Sequence, residues 1–329
     1  MELRQLRAFA AVATEGHFGR AAAKLNLTQP GLTLRIQALE RELGAQLLER
    51  SAREVQLTAA GLVLLPHAKS LIRIEDRALR ELKEQADGLG RRLRISYVAY
   101  GAVAFPTEVV AEFRRRHPSV QVDTTVGNSA TNTEHLLNGS VDAAFIYPGY
   151  VGGTGIPDKV AVRLLRRDTV LVALSSTHPL AQLDVIPLKT LRREPLIMFP
   201  TSPGPSATVS FVRMLVRHIG AEPNIVAYEP PDQALEAVAH SSSLIVFANG
   251  SRAASAPVPG IAYRPTSPAL FLDFGIAYFR DDESPVLANL MRLIDEMAAG
   301  EPGEVPEGSE VLAVDEMAAT TPQGPPDRP

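Results

Sequence analysis

Residues 22–40 read AAKLNLTQPGLTLRIQALE. The apolar residues keep helical spacing, yet Asn26, Thr28 and Pro30 interrupt the middle of the stretch. A turn between two short helices reconciles these features, with the first helix over Phe18–Leu25 and the second from Thr28 to about Leu43. Thr28 suits an N-cap, because its hydroxyl accepts from a free backbone N–H of the first turn. Pro30 then lies in that first turn, where a missing N–H is harmless. Asn26 takes the corner, since Asn tolerates left-handed backbone better than most residues. Ala22 lets the helices cross closely, and Ala21, Leu25, Leu27, Leu32 and Ile36 lock them together. An ordinary helical hairpin satisfies the same spacing, so the flanks decide.

Upstream, Leu3–Thr14 carries Leu3, Leu6, Phe9, Ala10 and Ala13 at helical spacing. Downstream, Gly44 is placed to end the second helix. Arg50-Ser51-Ala52-Arg53 then makes a basic turn before a short strand, Val55-Gln56-Leu57. A hairpin beside a helix-turn-helix is a wing. The second helix would enter the major groove with its N-terminal residues at the base edges. Gln29, Thr33 and Arg35 point away from the Leu32, Ile36, Leu39 stripe. Gln29 suits adenine, Thr33 a base edge or a phosphate, and Arg35 guanine or phosphate. Leu34 suits a thymine methyl or a buried flank. Arg50 and Arg53 suit phosphate or a narrow minor groove.

The 329 residues imply two or three domains, and the chain has no cysteine, which excludes disulfides and thiol chemistry. The net charge of −4 hides an asymmetry: residues 1–94 sum to +5 and the remainder to −9. A basic end on an acidic chain hints at nucleic acid. No run approaches the roughly 18 apolar residues a membrane span needs, and residues 1–16 lack a secretory pattern. A cytoplasmic protein is expected.

At the residues quoted, the chain resembles the LysR-type transcriptional regulators. MELRQLRAFAAVA, RAAAKLNLTQPGLTLRIQALERELGAQLLER and VQLTAAG carry the resemblance over the first 60 residues, and a weaker match continues to about residue 298. The family places Gln-Pro at the start of the recognition helix, here Gln29-Pro30, behind the cap Thr28. It usually follows with Ser-Arg-Gln, where this chain has Thr33-Leu34-Arg35. Where the family prefers Ser-Phe-Thr or Ser-Phe-Ser, this chain has His17-Phe18-Gly19, and His17 is read as a surface or capping residue.

After Pro66 no Pro or Gly occurs until Gly88. Leu65, Ala68, Ile72, Glu75, Leu79, Leu82, Ala86 and Leu89 form an a/d-like seam spoiled once, at Glu75. Such a helix packs either on its own core or on a second copy. The resemblance implies a two-fold antiparallel pairing, a dimer reading a pseudo-palindromic operator, and a tetramer on DNA.

Gly88-Leu89-Gly90-Arg91-Arg92 reads as a hinge. Beyond it, LRISYVAYG, FPTEVVAEFRRRHP, VQVDTTVG, ATNTEHLLNGS and VDAAFIY alternate strand and helix, which implies a parallel sheet. A second lobe begins near Thr169 with LIMFP, SATVSFVRMLVRHIG, NIVAYE, PDQALEAVAHS and LIVFA, and FLDFGIAYF crosses back. The fold class expected is α+β multidomain: a winged helix-turn-helix DNA-binding domain (1–58), a long linker and dimerisation helix (59–88), and a two-lobed α/β, periplasmic-binding-protein-like effector domain (89–300). Lobe 1 takes 91–168 and 268–300, and lobe 2 takes 169–267. The Pro-, Glu- and Gly-rich tail 301–329 is expected to be disordered.

In a two-lobed cleft, strand C-termini and helix N-termini converge on the ligand, and helix N-termini suit a carboxylate. The candidate effector residues are Tyr100, Gly101 and Ala102 in one loop, Ser129 and Thr131 in a second, and Phe199, Thr201 and Ser202 in a third. Each hydroxyl also suits a helix cap. PLIMFPTSPGPS and HIGAEPNIV look most like the subgroup that senses aromatic acids and muconate-like dicarboxylates. Where some of that subgroup carry Arg, this chain has Tyr147.

No H-E-x-x-H, G-x-S-x-G or phosphate-loop sequence is present, so an enzyme is not expected. Neither a cofactor nor a metal is expected. The partners expected are double-stranded DNA, a small organic acid and a second copy of the chain, with no membrane. Two other readings are an effector-independent DNA-binding protein and a cytoplasmic small-molecule-binding protein.

Overall fold

A computed structural model describes residues 1–50, 55–86, 91–100, 104–151, 155–199, 206–298 and 309–312. The chain divides into two compact units, one of residues 1–90 together with 137–139 and one of the remaining residues from 91 onward.

The first unit contains α1 (Leu3–Glu15), α2 (Phe18–Lys24), α3 (Gln29–Leu43), β1 (Leu48–Arg50), β2 (Val55–Leu57) and α4 (Ala59–Ala86). The break in the quoted stretch is a turn. Asn26 sits at φ 53°, while Leu27 N donates to the carbonyl of Ala22 at 2.9 Å and closes the corner. Gly44, at φ 66°, ends α3. Leu6, Phe9, Val12, Ala21, Ala22, Leu32, Ile36 and Leu39 fuse into one buried core with Leu47, Leu48 and Ala68. Asn26→Ala is expected to cost about 1 kcal/mol, since a Cβ-bearing residue without Asn's local hydrogen bonding is disfavoured in left-handed backbone. Asn26→Gly should at least match the native chain. Equal denaturation midpoints for the Ala and native proteins would contradict this.

Part of the seam expected on α4 packs on the unit's own core, and part of it is exposed. Ala68 is buried, and Leu65 and Ile72 pack on the unit's own core. Glu75, the charged residue in the seam, has its partner within the unit: its carboxylate takes Arg7 of α1 at 2.8 Å, and Asp76 pairs with the same guanidinium. Leu79 and Leu82 stay exposed, as do Leu71 and Ile74. The first part of the seam therefore attaches α4 to α1, and apolar surface remains toward its C-terminal end. Leu89 lies outside the described residues.

The second unit runs β3 (Arg92–Val98), α5 (Ala104–Arg116), β4 (Gln121–Gly127), α6 (Ser129–Leu137), β5 (Ala143–Ile146) and β6 (Val160–Ser175). It continues with β7 (Ile186–Pro187), β8 (Leu196–Met198), α7 (Ser206–Ile219), β9 (Ile225–Tyr228), α8 (Pro231–Ala239) and β10 (Ile245–Asn249). It closes with α9 (Gly250–Ser255), β11 (Ile261–Phe279), α10 (Pro285–Met297) and β12 (Glu310–Leu312). Strand order is β4-β3-β5-β11-β6-β10-β8-β9. The long antiparallel strands β6 and β11 run through both lobes. β3, β4 and β5 are parallel on one side, and β8, β9 and β10 are parallel on the other.

Elements without a counterpart in the sequence reading are β6, β7, α9, α10 and β12. The last departs from the disorder expected of the tail, since Glu310–Leu312 pair in parallel with Leu270–Leu272. The rest of the tail beyond Leu312 lies outside the described residues. None of the helices is long and apolar enough to cross a membrane among the described residues.

Candidate DNA interface and effector cleft

The DNA-facing candidates gather at the start of α3. Thr28 caps it, its hydroxyl accepting from Gly31 N at 3.3 Å. Gln29 and Pro30 are exposed, and Thr33 and Arg35 are half-buried. Leu34 is 63% exposed and so is not a buried flank. Arg35 pairs with no carboxylate among the described residues, which leaves its charge available to an anion outside the chain. His17 caps α2 through Nδ1, which accepts from Gly19 N at 3.0 Å and Arg20 N at 3.3 Å. Arg50 is the last residue of β1, opposite Val55. Its side chain, and Arg53 altogether, lie outside the described residues.

In the second unit the strand ends of two lobes converge. In one lobe β5 runs antiparallel to β11, from Ala143 opposite Tyr278 to Ile146 opposite Gly275, so its C-terminal end points toward lower β11 numbers. In the other, β10 runs from Ile245 opposite Leu174 to Asn249 opposite Val170. Both sets of strand C-terminal ends thus approach residues 168–170 of β6, from opposite directions. Lobe 1 brings Tyr100 after β3 and Ser129 after β4. Lobe 2 brings Phe199 after β8 and α9 after β10.

Asp168 lies at the meeting point, 5% exposed. Its Oδ2 accepts from the Tyr147 hydroxyl at 2.8 Å and its Oδ1 from Ser251 N at 2.9 Å. The Ser251 hydroxyl also donates to it. Tyr147 follows β5 in lobe 1 and Ser251 opens α9 in lobe 2, so one carboxylate joins both lobes. Burial pushes the neighbouring Tyr150 hydroxyl well above the ordinary tyrosine range, and the Asp168 charge adds to this.

Of the sequence candidates, Ser129 is buried and its Oγ accepts from Tyr147 N at 3.0 Å. Thr131 N donates to the cap residue Asn128 at 2.8 Å. Tyr100 is half-buried, and burial raises its hydroxyl pKa, with Asp232 adding and Arg252 opposing. Phe199 is partly buried against the lobe 2 core around Ile197, Leu235 and Val246. Gly101, Ala102, Thr201 and Ser202 lie outside the described residues.

Asp168, Ser251, Arg166 and Arg252 were not among the sequence candidates. Arg252 pairs with Asp232 at 3.2 Å. The Arg166 guanidinium lies 4.8 Å from the Phe105 ring centre and 6.0 Å from that of Phe274. No carboxylate among the described residues pairs with it. Nothing in the spacing of RRD at 166–168 singles it out, and the crossing of β6 brings Arg166 and Asp168 against residues remote in sequence.

Residues 3–62 match the family described as "Bacterial regulatory helix-turn-helix protein, lysR family". Residues 86–299 match the "LysR substrate binding domain". The HTH-type transcriptional regulator AlsR of Bacillus subtilis (strain 168) is 30% identical over 294 residues, covering 89% of this chain and 95% of that protein. The HTH-type transcriptional regulator BenM of Acinetobacter baylyi is 34% identical over 226 residues, 68% of this chain and 72% of that one. The crystal structure of full-length BenM aligns with a TM-score of 0.56 at 29% identity, over 91% of this chain and 97% of that one.

Proposed function

The chain belongs to the LysR family of bacterial transcriptional regulators, and on that footing we propose which of its residues read DNA and what class of effector it takes. It is a DNA-binding transcriptional regulator, not an enzyme, and a small molecule bound by its second unit modulates its activity. The observation that supports the effector reading is the convergence of strand ends from two lobes on the carboxylate of Asp168.

Thr28, Gln29, Pro30, Thr33, Leu34 and Arg35 face the major groove, and Arg50 and Arg53 of the wing reach the backbone or minor groove. Exposure at the start of α3 supports the first group. Gln29→Ala is expected to reduce discrimination between operator and random DNA about tenfold, as losing one base-edge contact does. Titration of both DNAs at one salt concentration checks it, and an unchanged ratio would reject the docking. The chain acts as a dimer, joined through the exposed apolar residues of α4, and as a tetramer on DNA, in the cytoplasm where its operator lies.

The effector is a small organic acid, aromatic in preference. Tyr100, Gly101, Ala102, Ser129, Thr131, Phe199, Thr201 and Ser202 line its cleft. Arg166, ring-stacked and without a carboxylate partner among the described residues, supplies the cation. A thermal-shift panel of aromatic and aliphatic carboxylic acids tests this. At least one acid should raise the melting temperature of the native chain, with the shift lost in Arg166→Met. No shift with any acid would favour the effector-independent reading.

A further inference from the structure

Among the described residues only two strands, β6 and β11, run through both lobes, and the stretch between the lobes is where Asp168, Thr169 and Val170 oppose Leu272, Phe271 and Leu270. On the opposite edge of β11, β5 begins pairing only at Gly275. Without another strand, that edge at 270–272 would present unpaired backbone groups. The chain supplies one itself. Glu310, Val311 and Leu312 pair with Leu270, Phe271 and Leu272. The connection is therefore three strands wide at this level, with Leu312, Leu272 and Asp168 in one row. This third strand lies beyond residue 299, where the effector-domain match ends.

We propose that β12 is an intramolecular strap, which stiffens the hinge and limits how far the lobes move. The mode is strand addition to an open edge, with main-chain hydrogen bonds supplying the attachment. β12 joins the same stretch of the hinge whose other strand carries Asp168, so any lobe rotation that bends β11 there must also bend or release β12. The restraint rests on the sheet register alone, whatever the effector is.

The test compares the full chain with a chain ending at Gly308, and with Val311→Pro in the full chain, which removes a ladder donor and fixes the backbone. Two quantities are read. The first is amide hydrogen exchange over 270–272, expected to rise roughly tenfold in both variants as the edge opens. The second is the distance distribution between lobes. The chain has no cysteine, so Glu134→Cys on α6 and Glu236→Cys on α8, both exposed positions, accept spin labels without background. Labelled chain is diluted into unlabelled chain to isolate distances within one copy. Faster exchange with a broader distribution supports the strap. Unchanged exchange overturns the pairing, and faster exchange with an unchanged distribution overturns the restraint.

Discussion

Asp168→Ala is expected to destabilise the effector unit by about 3 kcal/mol. The carboxylate accepts from the Tyr147 hydroxyl, the Ser251 amide and the Ser251 hydroxyl. Truncation strands these donors in a buried setting, at roughly 1–3 kcal/mol for each buried group left unpaired. Asp168→Asn keeps a carbonyl oxygen, so it should cost less. Tyr147→Phe removes one donor together with its need for a partner, and its cost should be about 1 kcal/mol. Urea unfolding of the full chain, followed on the transition of the second unit, checks the order Ala, Asn, Phe. A midpoint for Asp168→Ala equal to the native one would show that the junction carries no such load. The same substitution should also change the effector response, since it releases the side-chain tie between the lobes.

Ile36→Ala is expected to cost the DNA-binding unit about 3 kcal/mol, within the usual range of roughly 2–5 kcal/mol for emptying a well-packed site. Ile36 is fully buried, in the core that holds α3 against α1 and α2. Because that core orients the recognition helix, operator binding at about 37 °C should be lost with it. The transition of the effector unit should stay put, since Ile36 packs within the first unit's own core. Parallel measurement of binding and of both transitions checks this. Retained binding with a native first transition would mean that α3 is held by something other than this core.

The DNA-binding unit was legible because its signals are local. Pro30, Thr28, Asn26 and Gly44 each constrain backbone within a few residues, and the apolar spacing between them names the core. The α4 seam was legible only in part. Period alone says that one face is apolar, and it does not say that Arg7 of α1 meets Glu75 of α4 and draws the first half of that face inward. The strands of the effector unit with uniform surroundings, such as β5, read plainly. β6 did not, because it passes from one lobe to the other. Its polar residues at 166–168 sit where the strand ends of the two lobes converge, and no alternation marks it. Arg166 and Asp168 gain their meaning from Phe105, Tyr147 and Ser251, which are remote in sequence. α10 was missed although its apolar face is strong. β12 was missed because a Pro- and Glu-rich surround argues for disorder, and a three-residue strand forms only against an edge already in place.

The most direct test of the regulator reading is binding of the full chain to the DNA immediately upstream of its own coding region. It is made with competitor DNA at about 0.15 M salt, where sequence-independent attraction is strongly screened. A protected, two-fold symmetric site bound well above competitor is the expected result, with Gln29→Ala eroding that margin. Binding no tighter than to competitor, with Gln29→Ala indistinguishable from the native chain on every DNA tried, would contradict a sequence-reading role for α3.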